Sequence, residues 1–297
     1  MTRTERLWSR LRSGEILVAD GATGTMLQSE GLQPGRVPEA WVLERPDTIR
    51  ELHRSYVQAG ANIILTCSFG GNRYRLENDG LADRVEEVNR RAAELARDIA
   101  GNDVFVAGDM GPTGLLLKPL GPLTPEEMRE AYAEQVRGLA AGGADFLLIE
   151  TMSDLGEAEA AIAGARSVAP LPIVCTFSFD THGRTMMGLR PETVAQKIGP
   201  LVEGVGANCG RDPEEYIGFI HAMRLAAPDA ILWVKPNAGL PHMVEDVVVY
   251  DATPAKMGQV ALRLVEAGAQ IVGGCCGTTP QHVSAVASGL KAKTGEA

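Results

Sequence analysis

Short apolar, β-branched runs alternate with amphipathic stretches along the whole chain. The apolar runs are Ile16–Ala22, Asn62–Ser68, Val104–Met110, Phe146–Thr151, Pro172–Phe179, Val202–Cys209, Ile231–Asn237 and Ile271–Cys276. Helical spacing follows each of them, at Pro46–Ala59, Leu81–Ala100, Pro125–Ala141, Leu155–Ala169, Pro191–Pro200, Pro213–Ala226, Pro254–Ala267 and Pro280–Leu290. Thr124-Pro125, Asp212-Pro213, Thr253-Pro254 and Thr279-Pro280 each place a capping residue before a proline suited to the first helical turn. Uninterrupted runs such as Phe146-Leu147-Leu148-Ile149 fit strands buried on both faces, as in a parallel sheet. Eight strand–helix units in 297 residues average about 37 residues each. That suits an α/β fold of one domain over 1–297, a single (β/α)8 TIM barrel with its core at about 16–290. Length by itself also admits two domains, and a doubly wound open sheet is the alternative architecture. No G-x-G-x-x-G follows the first strand, so a dinucleotide-binding sheet lacks its fingerprint.

In such a barrel the chemistry sits at the C-terminal ends of the strands. Those ends read Asp20-Gly21, Thr66-Cys67-Ser68-Phe69, Asp109-Met110, Glu150-Thr151, Ser178-Phe179-Asp180, Asn208-Cys209, Lys235-Pro236-Asn237 and Cys275-Cys276. Polar and soft residues thus collect at one rim. The sixth and eighth strands are separated only by the seventh, so Cys209, Asn237, Cys275 and Cys276 come from three neighbouring strand ends. Three thiols and an amide suit a Cys₃ zinc site with one exchangeable position, the arrangement of a catalytic metal. Redox chemistry, plain packing and a strained vicinal disulfide are the rival readings of Cys275-Cys276. Cys67 and Cys175 stand alone in apolar runs and read as small buried hydrophobes. Asp20 equally fits a turn cap, Glu150 a structural ion pair and Asn237 an Asx turn before Gly239.

Charge and composition narrow the function. The net charge is −10, from 28 Lys+Arg against 38 Asp+Glu, which gives no electrostatic reason to bind nucleic acid or an anionic membrane. No apolar run reaches the ~18 residues of a spanning helix. The N-terminus has no apolar segment of a secretory signal. Five cysteines are too few for a disulfide framework. A reducing cytoplasm is therefore expected. Only Lys291–Ala297 has the composition of a disordered tail.

The stretch Gly273-Gly274-Cys275-Cys276-Gly277-Thr278-Thr279-Pro280, with Asn208-Cys209 and Asp20-Gly21-Ala22-Thr23-Gly24-Thr25-Met26, resembles the homocysteine S-methyltransferase family. Gly143–Thr151 and Pro236-Asn237-Ala238-Gly239-Leu240-Pro241 carry the same likeness, which runs from about Ile16 to Leu290. Within the family it is most similar to the homocysteine-binding module of cobalamin-dependent methionine synthase. The resemblance implies a barrel that binds Zn2+ and methylates the homocysteine thiol to give methionine. It implies Cys209, Cys275 and Cys276 as zinc ligands and Asn237 near the metal's fourth position. It places Asp20 and Glu150 beside the substrate amino group, and Gly21, Thr66, Ser68 and Phe69 around the substrate. A shell of three thiolates leaves the zinc site at −1 before substrate and −2 with it, which keeps a bound thiolate nucleophilic.

The methyl donor stays open among methylcobalamin on a partner protein, betaine and a sulfonium. Animal-type betaine enzymes cage the quaternary ammonium with tyrosines after the second and fourth strands, a cation–π device. Gly70-Gly71 and Thr151 stand at those places here, leaving Trp41, Tyr74 and Phe177 to form any different cage. Asp180-Thr181-His182 superficially matches a D-x-H-x-x-G cobalamin motif, but position 185 is Thr. The length leaves no room for folate or cobalamin modules, so a corrinoid would arrive on another protein. Three rivals remain: a methyltransferase for another small thiol, a zinc- or thiol-binding subunit without turnover, and a metal hydrolase. The hydrolase needs His and carboxylate ligands. Of the five histidines only His182 is expected near the rim.

Overall fold

The computed structural model describes residues 1–244 and 247–294. Its strands are β1 (Leu17–Val18), β2 (Ile63–Leu65), β3 (Phe105–Met110), β4 (Phe146–Met152), β5 (Ile173–Phe177), β6 (Gly204–Asn208), β7 (Ile231–Lys235), β8 (His242–Val244), β9 (Val247–Val249) and β10 (Ile271–Val272). Eight of them form one parallel sheet in the order β1-β10-β7-β6-β5-β4-β3-β2. Its two ends meet where Ala19 bridges Ile63. There Asn62 N–H donates to Val18 O at 2.7 Å and Asp20 N–H to Ile63 O at 3.0 Å. The alternating pattern thus becomes the expected (β/α)8 barrel.

Strands β1 and β2 are shorter than their apolar runs because side chains replace the ladder at their ends. Asp20 Oδ2 accepts the Leu65 N–H at 2.7 Å, and Thr66 Oγ1 accepts the Asp109 N–H at 2.9 Å. Helix starts follow the capping logic. Thr124 forms a capping box with Glu127, and the Thr253 hydroxyl accepts the Lys256 N–H at 3.2 Å. At Asp212-Pro213 the helix begins later, at Glu215, with Asp212 Oδ1 accepting the Glu214 N–H at 2.9 Å. The last helix runs Pro280–Thr294, past the expected end at Leu290. The first part of the expected tail is therefore helical, and residues 295–297 lie outside the described residues.

Besides short helices such as Gly24–Ser29, Trp41–Glu44 and Arg73–Leu76, two larger features had no counterpart in the periodicity. Helix α1 (Arg3–Arg12), opened by a Thr2–Glu5 capping box, closes the N-terminal end of the barrel. Its Leu7, Trp8 and Leu11 pack on inward residues including Leu17, Ile63, Phe105, Phe146, Val174, Trp233 and Ile271. Phe146 stands edge-on to both Trp8 and Trp233, at centroid distances of 6.4 and 6.1 Å. Asp145 anchors α1 through Arg3 at 3.1 Å and also pairs with Arg97. The second unforeseen element is the antiparallel hairpin β8–β9 in the loop after β7, which carries exposed His242 onto the rim side. Among the described residues no helix is long and apolar enough to cross a membrane.

Strand period sets the plug and the site on one axis. Phe105 and Ala107 face inward on β3, so Asp109 does too. Phe146 and Leu148 lead likewise to Glu150, and Trp233 leads to Lys235. The lumen is apolar below and charged above.

His53, on the helix Pro46–Gln58, is 1% exposed, and its Nε2 has no partner. Burial pushes its imidazole down to about 4. A depressed base gives stability that is present above its unfolded value near ~6.5 and lost as pH falls toward the folded one. Stability is expected to fall by roughly 3 kcal/mol between pH 6.5 and 4 from this group. Urea midpoints across that range are expected to drop less in His53→Leu than in the parent.

Candidate active site at the C-terminal rim

Cys209 follows β6 in the left-handed region, at φ +60°. Its N–H donates to Lys235 O at 3.0 Å. Thr151, after β4, shares that conformation at φ +63°. Such backbones cost about 1–2 kcal/mol each and persist where neighbours over-determine them. Asn208 supplies part of that constraint. Its Oδ1 accepts from Thr151 N–H at 2.9 Å and Thr176 Oγ1 at 2.7 Å, and its Nδ2 donates to Thr151 Oγ1 at 2.7 Å.

The other two thiols follow β10. A Cβ on Gly273 would stand 2.9 Å from Ala19 Cβ, and one on Gly274 would run into the Thr278 side chain. The chain must therefore pass here without side chains before Cys275 and Cys276. Thr278 Oγ1 donates to Cys275 O at 2.7 Å, Cys275 N–H to Pro236 O at 2.8 Å and Ala238 N–H to Cys276 O at 2.9 Å. The three sulfurs lie within 4.8 Å of one another, with Cys209 and Cys276 at 3.8 Å. A tetrahedral zinc with bonds of ~2.3 Å spaces its sulfurs ~3.8 Å apart, so the donor set fits the ion. All five cysteines are free, so the vicinal pair is not a disulfide. Hydrogen bonds from Cys209 and Cys275 hold the Cys276 thiol far below the usual range, while the Cys209 thiol is pushed up by the same network. Beside them, the buried Asn237 Oδ1 has no partner.

Gly277 ends this turn at φ +77°, and a Cβ there would enter the Tyr250 ring. Burial and the neighbouring Cys276 push the Tyr250 hydroxyl up. Gly277→Ala is expected to lower stability by about 1–3 kcal/mol and to loosen metal retention. Urea denaturation and metal content after dialysis measure the two effects.

A cavity of about 540 Å3 opens over the thiols. Gly21, Thr66, Ser68, Phe69, Glu150, Cys209, Cys275 and Cys276 line it, while Asp20 and Asn237 lie outside its lining. Thr66 and Ser68 also serve the β2–β3 joint: their hydroxyls are 2.5 Å apart, and Ser68 Oγ donates to Asp109 O at 2.7 Å. The loop after β2 is clamped from outside. Gln135 Nε2 donates to Ser68 O and Asn89 Nδ2 to Gly71 O, both at 2.7 Å, and Glu39 Oε1 accepts the Gly70 N–H at 2.6 Å. Phe69 lies on Gly111, where a Cβ would be 2.6 Å from the ring. The alternative aromatic cage does not form. Trp41 and Phe177 are buried in the core and, like Tyr74, lie outside the cavity lining. Arg45 stacks on Trp41 at 4.1 Å. Cys175 is fully buried as expected, whereas Cys67, 1% exposed, reaches the cavity wall. His182 is exposed in the loop after β5, but it is not the sole rim histidine, since His242 is in the hairpin.

The charged layer differs from expectation. Asp20 is 1% exposed and fully engaged: Lys235 Nζ donates to Oδ1 at 2.7 Å and Leu65 N–H to Oδ2 at 2.7 Å. Burial opposes the Lys235 charge, but Asp20 and Glu150 outweigh it and keep the ammonium protonated above its ordinary range. Glu150 is pushed up to about 8 by burial against the pull of Lys235. Asp109 is raised well above the carboxylate range by burial and by Glu150. Asp109 and Lys235 were missed as site residues. Both continue an inward period-two series, and that was the available signal.

The model of the homocysteine S-methyltransferase family matches residues 17–290. Methionine synthase of Mycobacterium tuberculosis is 32% identical over 300 residues, covering 94% of this chain and 25% of that protein. The Mycobacterium leprae methionine synthase is 32% identical over 296 residues, covering 93% of this chain and 24% of that protein. The chain thus spans about a quarter of the length of these curated relatives. Among solved structures, the metallated form of the homocysteine methyltransferase MmuM from Escherichia coli shares the fold, with TM-score 0.79 and 23% identity over 97% of this chain and 99% of that one. With the family model covering all eight barrel strands and the thiol trio, this chain belongs to the homocysteine S-methyltransferase family.

Proposed function

We propose that this chain is a zinc-dependent homocysteine S-methyltransferase that forms methionine, with methylcobalamin on a partner corrinoid protein as the methyl donor. The observation that carries the reading is the trio of thiols within 4.8 Å under a cavity whose wall holds buried, unpartnered carboxylate oxygens. Cys209, Cys275 and Cys276 would hold the zinc, with Asn237 next to them. Bound there, zinc supplies deprotonation of the acceptor thiol, whose ordinary value of ~8.5 leaves only a few per cent ionised at pH 7, a deficit of about 2 kcal/mol.

The chain's own residues do the rest. Phe69, Thr66 and Ser68 shape the cavity, and the Gln135 and Asn89 clamps hold their loop in place. The Lys235 ammonium, buried on the axis, offsets negative charge gathered at the thiols. Displacement of a methyl group needs donor and acceptor in line, and the enclosing wall limits water around the sulfur. Phe69 is the aromatic ring among the described residues of that wall, so a cage for a quaternary ammonium lacks its parts. That, with relatives named methionine synthase, supports a corrinoid donor over betaine or a sulfonium. A reducing cytoplasm suits thiols that must stay free.

The test supplies L-homocysteine with methylcobalamin, betaine or S-methylmethionine, each with and without zinc, and assays methionine. Zinc-dependent product with methylcobalamin is expected. Product only with another thiol would move the acceptor. A bound thiol without turnover for any donor would leave a binding subunit.

A further inference from the structure

Thr151 faces the cavity against the alternation of its own strand. On β4, Phe146 and Leu148 point into the lumen, while Leu147 and Ile149 point into the helix layer. That period assigns Glu150 to the lumen and Thr151 to the helix layer. Yet Thr151 lines the cavity, and Met152 takes the next place in the helix layer. Two features of the backbone turn it. Ile149 is in register with Cys175 and Met152 with Phe177, three steps on β4 against two on β5, so β4 bulges by one residue at Glu150-Thr151. Thr151 itself is left-handed at φ +63°, an outlier for a β-branched side chain. Glu150 already faces inward by the strand period, so the residue that the bulge re-aims is Thr151.

The side chain so placed has one hydroxyl to offer. Asn208 Nδ2 donates to Thr151 Oγ1 at 2.7 Å, which fixes the oxygen and leaves the hydroxyl proton free to be donated. Among the described residues that bond is the only one the hydroxyl makes. Asn208 immediately precedes Cys209, so the hydroxyl stands on the Cys209 side of the cavity that both residues line. Glycine or asparagine would hold this backbone at lower cost. A strained threonine is kept where its side chain is used.

We infer that Thr151 contacts the substrate directly: its hydroxyl donates a hydrogen bond to the acceptor sulfur above the thiol trio. The inference rests on the homocysteine reading and adds to it a contact with the reacting atom. A thiolate accepts such a bond strongly because it carries charge, whereas the thioether of the methylated product accepts weakly. Thr151 therefore favours the thiolate over the product. It also occupies one side of the sulfur and leaves another open to the methyl donor.

Calorimetric titration of the zinc-loaded protein with L-homocysteine, and with L-methionine in competition with it, tests this. The parent is expected to bind homocysteine at least ~10-fold more tightly than methionine. Thr151→Gly suits the left-handed backbone, and Thr151→Val keeps the branched shape. Each is expected to shrink that ratio at least ~5-fold by weakening homocysteine, with methionine held within ~2-fold. Thr151→Ser keeps the hydroxyl and is expected to stay within ~2-fold of the parent for both ligands. A ratio unchanged in the glycine and valine variants would overturn the assignment. So would equal weakening of both ligands, loss of zinc from Thr151→Gly, or a serine variant that behaves like the glycine one. Each of those outcomes leaves the homocysteine reading standing. A parent that does not bind homocysteine would overturn that reading and this assignment with it.

Discussion

Cys276→Ala is expected to cost the protein its metal and at least ~10³-fold in methionine formation. Cys276 lies 3.8 Å from Cys209 within the thiol trio, and its removal leaves two ligands on separate strand ends. Two thiolates retain zinc poorly, and an acceptor thiol without the metal returns to a few per cent ionised at pH 7. Positioning is lost along with ionisation, which is why the expected loss exceeds the ionisation deficit. Elemental analysis after dialysis and a methionine assay measure the two consequences. Cys175→Ala is the matched control: Cys175 is fully buried away from the cavity, so the variant should keep one metal per chain. Retention of zinc in Cys276→Ala would contradict the assignment of ligands.

The largest effect on stability is expected at the buried Asp20–Lys235 pair. Lys235→Met leaves a carboxylate 1% exposed with only the Leu65 amide to hold it. Breaking a buried pair from one side costs about 3–5 kcal/mol, while replacing both partners costs much less. Asp20→Asn is likewise expected to destabilise by stranding the ammonium. The double variant Asp20→Asn/Lys235→Met is expected to be more stable than the sum of the single losses implies. Urea denaturation of the four proteins closes the cycle. A pH signature accompanies it. Burial already raises the Asp20 carboxyl above its ordinary range, and Lys235→Met removes the cation that opposes this, so its folded value rises further above the unfolded ~3.9. A raised acid loses stability as pH climbs, so the deficit should shrink as pH is lowered toward 4. A deficit that is flat with pH, or additive in the double variant, would mean that the pair is not coupled.

The barrel was legible because its strands are buried on both faces and helices such as those starting at Pro125 and Pro254 open with a threonine cap. Cys209 and Cys275-Cys276 were legible because neighbouring strands of a closed barrel bring distant sequence positions together. Less visible were features set by tertiary contacts. Helix α1 is short, and its Leu7, Trp8 and Leu11 gain meaning only against the open lower lumen. The β8–β9 hairpin pairs with itself in a long loop. Asp20 sits in a recognisable motif, yet its partner is 215 positions away, and only the folded register reveals that Lys235 claims it. Asp109 lies in no motif, and the two-residue step from Phe105 and Ala107 becomes informative only when the inward face of β3 is known.

The central claim is that the thiol trio binds zinc and presents it to the acceptor thiol. X-ray absorption at the zinc edge counts the metal's sulfur neighbours with no need of a methyl donor. The account predicts three sulfurs and one lighter ligand in the resting protein, and four sulfurs after L-homocysteine is added. A sulfur count unchanged by homocysteine, or a resting site ligated chiefly by nitrogen and oxygen, would contradict it.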